Sequence, residues 1–234
     1  MRSDNLAIIP VRTGSKRLPN KNLLDFFGKP MFIHTVEAAK ASGLFSDIHV
    51  STESPEVLEI CESNDLEVRF LRDKELASDD ASLESVCTFV LDTYKSLYDY
   101  EYDNFCLLWA TAPLRTSEDI ANAYDLLSED ADAVVSATTY DLPVFCAQEV
   151  DSEGFLIPRF PEMFWLPGQK MPAVFCDNGA LCWVRVGAFR KEGTWMPRKT
   201  KPYIMDKARS VDIDTAEDLD MAKYRYNQLL KNID

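Results

Sequence analysis

Leu6-Ala-Ile-Ile-Pro-Val-Arg-Thr-Gly-Ser-Lys-Arg-Leu-Pro-Asn-Lys-Asn22 joins a short apolar run to a cationic loop, and the rest of the chain is organised around that junction. Leu6–Val11 reads as a buried strand. The loop then gathers Arg12, Lys16, Arg17 and Lys21 with no acidic residue among them, in a chain whose formal net charge is -14. Gly14 and Ser15 permit a tight turn whose backbone N–H groups converge on an anion. Arg and Lys add charge-assisted bonds to phosphate oxygens. Open α/β sheets bind ligands at the carboxyl ends of their strands, where this loop sits. The reading is a polyphosphate clamp, set against the alternative of a solvated basic turn. Neither the G-x-x-x-x-G-K-[ST] loop nor the G-x-G-x-x-G fingerprint is present, so a nucleotide site here uses another architecture.

Outward from that strand, strand and helix signals alternate. A helix is predicted from about Lys29-Pro30 to just before Gly43. Asp47–Thr52 follows as a strand, and Ser54-Pro55 opens a helix to about Ser63. Glu67–Leu71 reads as a short strand, Ser82–Tyr98 as a helix and Asn104–Trp109 as a buried strand. Ser117 opens a helix to about Ser128, followed by a strand at Ala133–Thr138. Gly179–Val186 resumes the sheet, Val211–Asp214 is a short strand end, and Thr215–Leu230 is a closing amphipathic helix. This rhythm implies an α/β fold with a doubly wound, mostly parallel sheet. It breaks between Tyr140 and Cys176, a stretch rich in Pro and aromatic residues. We read residues 1–234 as one domain, with 140–177 a β-rich insertion or lid.

Composition narrows the function classes. At 234 residues the chain suits one large domain, and 46% hydrophobic with 27% charged residues is ordinary for a globular protein. The negative balance argues against broad nucleic-acid binding. No apolar run is long enough for a membrane span, and no signal-peptide pattern is seen. The six cysteines are scattered and only His34 and His49 are histidines, so zinc and disulfide frameworks are not expected. Buried, reduced thiols in a cytoplasmic enzyme are expected instead.

Three further segments carry candidate chemistry. In Ser210-Val-Asp-Ile-Asp-Thr-Ala-Glu-Asp218, a strand would turn Asp212 and Asp214 to one face, where two carboxylates hold a hard cation such as Mg²⁺. The same residues also suit a helix cap, with Asp214 or Thr215 capping and Glu217 or Asp218 completing a capping box. Arg72 and Ser82 bracket a polar segment after a predicted strand. Thr111 and Arg115 follow another strand, where they face a ligand or Arg115 supports the next helix.

Taken together, Arg-x-x-Ser-Lys-x-x-Pro-x-Lys-Asn, Val50-Ser-Thr, Leu71-Arg, Thr-x-Pro-Leu-Arg and Asp-Ile-Asp-Thr occur in an order that resembles the acylneuraminate cytidylyltransferases. The resemblance spans nearly the full chain. It implies a Rossmann-like fold and transfer of CMP from CTP to the anomeric hydroxyl of a nonulosonic acid, releasing pyrophosphate. Arg12, Ser15, Lys16, Lys21 and Asn22 would then hold CTP, with Arg72 and Ser82 completing the nucleotide pocket. Arg12 and Lys21 would also stabilise the departing charge, and Asp212 and Asp214 would hold Mg²⁺. Relatives of this type pair as homodimers through the region matching 140–177, one subunit reaching over the other's sugar pocket.

On the sugar side the residues in question are Trp109, Thr111, Phe145, Gln169 and Asn178. Here the chain departs from the sialic acid enzymes. Trp109 stands where they carry a glutamine, Phe145 where they tend to carry a lysine, and Gly168, beside Gln169, where an arginine is expected. The Ala110-Thr-Ala-Pro113 form is similar to the pseudaminic acid branch of the family. Two alternatives follow: a CMP-Kdo-type synthetase acting on an eight-carbon keto acid, or an inactive homologue that only binds nucleotide.

Overall fold

The computed structural model describes residues 4–140 and 142–231. The predicted unit 1–234 and its insertion therefore include residues 1–3, 141 and 232–234, which lie outside the described residues.

The first strand, β1 (Asn5–Pro10), has Leu6, Ala7, Ile8 and Ile9 all fully buried. Alternate residues supply opposite cores: Ala7 and Ile9 pack with Phe32, Val57 and Trp183 on one face, Leu6 and Ile8 with Val90, Phe105 and Phe189 on the other. Each such side chain contributes about 1.5–3 kcal/mol by leaving water, which is why a strand this apolar sits in the middle of a two-sided layer. After β1 comes a tiny hairpin, β2 (Asp25–Phe26) with β3 (Lys29–Pro30), and then α1 (Met31–Ser42). Pro30 is the cap rather than the first helical residue, and Gly43 ends the helix at φ 62°, a left-handed conformation that glycine adopts without a Cβ penalty.

The remaining elements are β4 (Asp47–Ser51), α2 (Pro55–Glu62), α3 (Leu83–Tyr98), β5 (Asn104–Leu108), α4 (Ser117–Asp125) and β6 (Ala133–Thr139), then β7 (Gln148–Val150), β8 (Leu156–Pro158), α5 (Pro161–Phe164), β9 (Phe175–Arg185), α6 (Val186–Glu192), β10 (Thr200–Ile204) and α7 (Ala216–Lys231). The six-stranded sheet has the order β10-β6-β9-β5-β1-β4. Its pairs are parallel except on the two sides of β9, which runs antiparallel to β5 and β6. The mostly parallel, doubly wound sheet is thus observed. The connection through 140–177 reverses the chain before it re-enters.

Four local expectations are corrected, and one strand is added. Glu67–Leu71 keeps the alternating burial of a strand but forms no ladder; Arg72 N–H to Thr52 O, 2.9 Å, ties its end to the sheet edge. Val211–Asp214 is an irregular segment, because Val211 and Ile213 bury themselves against Phe26, Leu114 and Ala222 instead of joining a strand. β10 carries no clear strand signal because of Pro202, and proline is tolerated there because β10 is an edge strand. The 140–177 stretch is one β7–β8 hairpin among one-turn helices, less β-rich than its sequence suggests. The cysteines are free, but Cys146 is exposed and Cys176 half-buried, so only Cys61, Cys87, Cys106 and Cys182 fit the buried-thiol expectation. Among the described residues no helix is long and apolar enough to cross a membrane.

His49 on β4 is fully buried, stacked on Phe70 at 4.3 Å, with no hydrogen-bond partner for either ring nitrogen among the described residues. Burial first, then the Arg69 and Arg72 charges, push its pKa down to about 3.

Candidate active site

At the carboxyl end of β1 the chain opens into a cleft of about 270 Å³. One side is the basic loop, another the segment 72–83, and the floor is the turn after β5 at Trp109–Thr111. A smaller recess of about 50 Å³ adjoins it, lined by Ser15, Lys16, Arg17 and Asp214 and sharing Arg12 and Lys21 with the cleft. The loop's path is fixed from within: Asn20 takes a left-handed φ of 52°, Lys21–Leu23 form one 3₁₀ turn, and buried Asn22 donates its Nδ2 to Arg12 O at 3.0 Å. Ser15 Oγ lies buried without a hydrogen-bond partner among the described residues.

The cations are matched by acids from both sides. Asp79, across the cleft, pairs with Arg12 at 2.9 Å and Lys16 at 2.6 Å. Asp214 pairs with Lys21 and Arg17, each at 2.6 Å. Lys16, then Arg12, hold the Asp79 carboxyl below the usual carboxylate range. The Asp79 pairs are solvent-exposed and individually weak, so an incoming polyanion can displace them at small cost, whereas Lys21–Asp214 is partly shielded.

Asp212 is exposed as a residue, yet its carboxyl is crowded by protein atoms. Gly179 sits at φ 60°, and a Cβ there would lie 2.9 Å from Asp212 Oδ2. Desolvation, then the neighbouring Asp214 and Asp177 charges, push the Asp212 carboxyl up, while the Thr111 hydroxyl and Lys21 oppose that rise. The helix-cap reading of this segment is also realised: Asp218 Oδ2 accepts from Thr215 N at 2.8 Å, and Thr215 Oγ1 accepts from Asp218 N at 3.2 Å. The cap uses Thr215 and Asp218, leaving the Asp214 carboxylate to face the basic loop, while Asp212 lies beside Gly179 and Thr111.

Of the residues singled out in the sequence, Arg12, Lys21, Asn22, Arg72, Trp109 and Thr111 line the cleft, and Ser15, Lys16 and Asp214 the recess. Others lie apart. Ser82 is the cap of α3, accepting from Ser85 N at 3.1 Å. Arg115 is buried, its pKa pushed down to about 10 by burial, and it donates to Trp109 O and Ala180 O at 3.2 and 2.7 Å, so it braces the floor and faces no ligand. Phe145 packs on Phe160, ring centroids 5.7 Å apart, and Gln169 is exposed on a one-turn helix; neither borders the cleft. Asn178 is buried, donating to Ser210 Oγ at 2.9 Å. Glu53, Asp79 and Gly179 were not singled out from the sequence. Asp177-Asn-Gly signals the tight turn that makes Gly179 necessary; nothing local signals the other two.

A family model described as Cytidylyltransferase matches residues 6–151, the part of the chain that carries the basic loop, the cleft floor and most of the sheet. The chain belongs to this cytidylyltransferase family. It is therefore a nucleotidyltransferase. The pseudaminic acid cytidylyltransferase of Campylobacter jejuni is 30% identical over 223 residues, covering 95% of this chain and 96% of the relative. The N-acylneuraminate cytidylyltransferase of Streptococcus agalactiae is 34% identical over 216 residues, covering 91% of this chain and 51% of that longer protein. Among solved structures, a CMP:2-keto-3-deoxy-manno-octonic acid synthetase superposes with a TM-score of 0.71 at 17% identity, covering 97% of this chain and 100% of that one, a likeness of fold.

Proposed function

We propose that this cytidylyltransferase transfers CMP from CTP to the anomeric hydroxyl of a nonulosonic acid, with Mg²⁺, and releases pyrophosphate. The observation that supports the reading is Lys21, which lines both the cleft and the adjoining recess and pairs with Asp214 at 2.6 Å, with the Asp212 carboxyl close enough to feel the Asp214 and Lys21 charges. A triphosphate needs this arrangement of cations beside carboxylates. The donor set fits Mg²⁺: two carboxylate groups, one of them kept clear of a Cβ only because residue 179 is glycine. No group of three or more His, Cys, Asp or Glu side chains forms a cage among the described residues, so phosphate oxygens and water would supply the other ligands. Held by Asp212 and Asp214, the ion would neutralise triphosphate charge.

The chain's own residues account for the rest. The anomeric oxygen attacks the α-phosphorus in line as the bond to the β-phosphate breaks, and the pyrophosphate leaves with the electron pair. Arg12, Lys16 and Lys21 would exchange Asp79 and Asp214 for phosphate oxygens and stabilise that leaving charge. Apolar walls at Leu76, Leu83 and Val86 suit a nucleoside. No covalent intermediate is required.

On the acceptor side we favour a deoxy nonulosonic acid over N-acetylneuraminic acid. Trp109 borders the cleft, braced edge-on by Trp195 at 5.5 Å, and offers apolar surface where an amide would hydrogen-bond a hydroxyl. We also propose that 1–234 is one unit that pairs with a second copy through 140–177. Leu142 and Trp165 are each 80% exposed and Phe155 and Leu156 about 65%, a concentration of apolar surface typical of interfaces. The test is pyrophosphate release from CTP with a panel of keto acids, including an eight-carbon one, with and without Mg²⁺. Release with a nonulosonic acid supports the reading. Release with the eight-carbon acid alone, or with none, overturns it.

A further inference from the structure

Glu53 follows β4 and belongs to none of the motifs above, yet its carboxylate spans two walls of the cleft. Oε2 accepts from Arg72 Nε at 3.2 Å and from Arg72 Nη2 at 2.7 Å, in a side-on, two-bond geometry. Oε1 accepts from both the N–H and the hydroxyl of Thr13, in the basic loop, at 3.4 Å. Arg72 Nη2 also donates to Val11 O at 3.3 Å. The pair is well shielded, with the Arg72 side chain 2% and the Glu53 side chain 14% exposed. Burial pushes the Glu53 carboxyl up, but its bonds to Arg72 and Thr13 outweigh this and hold it below the ordinary range.

The consequence for Arg72 is geometric. A guanidinium is planar, so fixing Nε and Nη2 fixes the direction of Nη1. Nη1 has no partner among the described residues, and Arg72 lines the same cleft as the apolar residues Leu76 and Val86. We propose that Glu53 is a positioning residue of the nucleotide site: it locks the Arg72 guanidinium so that one donor faces the nucleoside end, and by holding Thr13 it sets that donor in register with the phosphate loop. This rests on reading the cleft as the CTP site. A donor held rigidly in an apolar pocket discriminates between bases by their acceptor pattern; a mobile one discriminates less.

Equilibrium binding of CTP and UTP, needing no acceptor, tests it on the full chain. Glu53→Gln is expected to weaken CTP about tenfold and to narrow the CTP-to-UTP preference, because the amide loses the charge and has one acceptor oxygen, so it cannot accept from both Arg72 and Thr13 N–H. In an Arg72→Met background the same change is expected to add less than about twofold, since the two residues act as one unit. Where Glu53→Gln alone fails to fold, Glu53→Asp keeps the charge but shortens the span, and it too must narrow the preference. The inference is overturned if CTP affinity and the CTP-to-UTP ratio stay at wild-type values in Glu53→Gln, or if the Glu53 and Arg72 effects simply multiply. Wild-type protein that binds no CTP would remove the nucleotide reading itself, and this inference with it; wild-type binding with an indifferent Glu53→Gln removes this inference alone.

Discussion

The basic-loop end of the cleft and the 140–177 segment come from one chain but are built on opposite terms. Around the loop, Asn22 bonds Arg12 O, Glu53 ties Thr13 to Arg72, Arg115 braces Trp109 and Ala180, and Asp212 packs against Gly179. Each functional side chain there is held by another that is buried or hydrogen-bonded. In 140–177, Leu142, Phe155, Leu156 and Trp165 are exposed, and Phe145 and Gln169 point into no cavity shared with the loop. The single chain thus forms a cleft of about 270 Å³ lined by held side chains and leaves Leu142, Phe155, Leu156 and Trp165 exposed. On the proposed reading, the contrast separates the part of the chain that would handle CTP from the part that would bear on the acceptor through a second copy.

Breaking the first region should cost most. If Mg²⁺ is held as proposed, Asp212→Ala or Asp214→Ala is expected to lower kcat by at least about 10²-fold, the size of such electrostatic contributions. Near wild-type rates in both variants would mean that the segment serves only as the helix cap made by Thr215 and Asp218. Arg12→Ala and Lys21→Ala should follow, with CTP-dependent kcat/KM down by about 10-fold or more and the sugar KM little changed. A raised sugar KM with unchanged CTP dependence would put the loop at the wrong end of the cleft.

The second region should respond differently. Leu156→Glu combined with Trp165→Ser is expected to convert a dimer to a monomer in light scattering at micromolar concentration, while CTP binding stays within about threefold of wild type. A wild-type protein that is strictly monomeric would make 140–177 an intramolecular lid. The smallest effect is on stability alone. His49 is neutral in the fold, its pKa pushed down to about 3 against an unfolded value near 6.5. The unfolded chain binds the extra proton, so stability is full above pH 6.5 and falls as pH drops towards 3, by at most about 1.4 kcal/mol per pH unit from this group. His49→Phe should flatten the fall in Tm between pH 6.5 and 4; an unchanged pH slope would show that other groups carry it.

Much of the first region was legible because its physics is local. Leu6–Ile9 is apolar on both faces and can only be a central strand, and a run of cations without acids at its end marks an anion site. The spacing of Asp212 and Asp214 makes them legible as a candidate pair, though the alternation of Val211 and Ile213 reflects packing against α7 and not a strand. Glu53, Asp79 and the brace at Arg115 depend on segments brought together by the sheet order, which no local pattern encodes. For the second region the sequence displays an excess of aromatics but not what they meet. Trp109 lies at the cleft, whereas Phe145 bears on an acceptor only if a second chain carries it there.

The most direct measurement is kcat/KM for pseudaminic or legionaminic acid beside that for N-acetylneuraminic acid, at saturating CTP and Mg²⁺, read by pyrophosphate release. If the proposed CTP site is right and Trp109 presents apolar surface to the acceptor, the protein should turn over both through the same CTP step and favour the deoxy sugar. A clear preference for N-acetylneuraminic acid would contradict this and assign acceptor choice to residues other than Trp109.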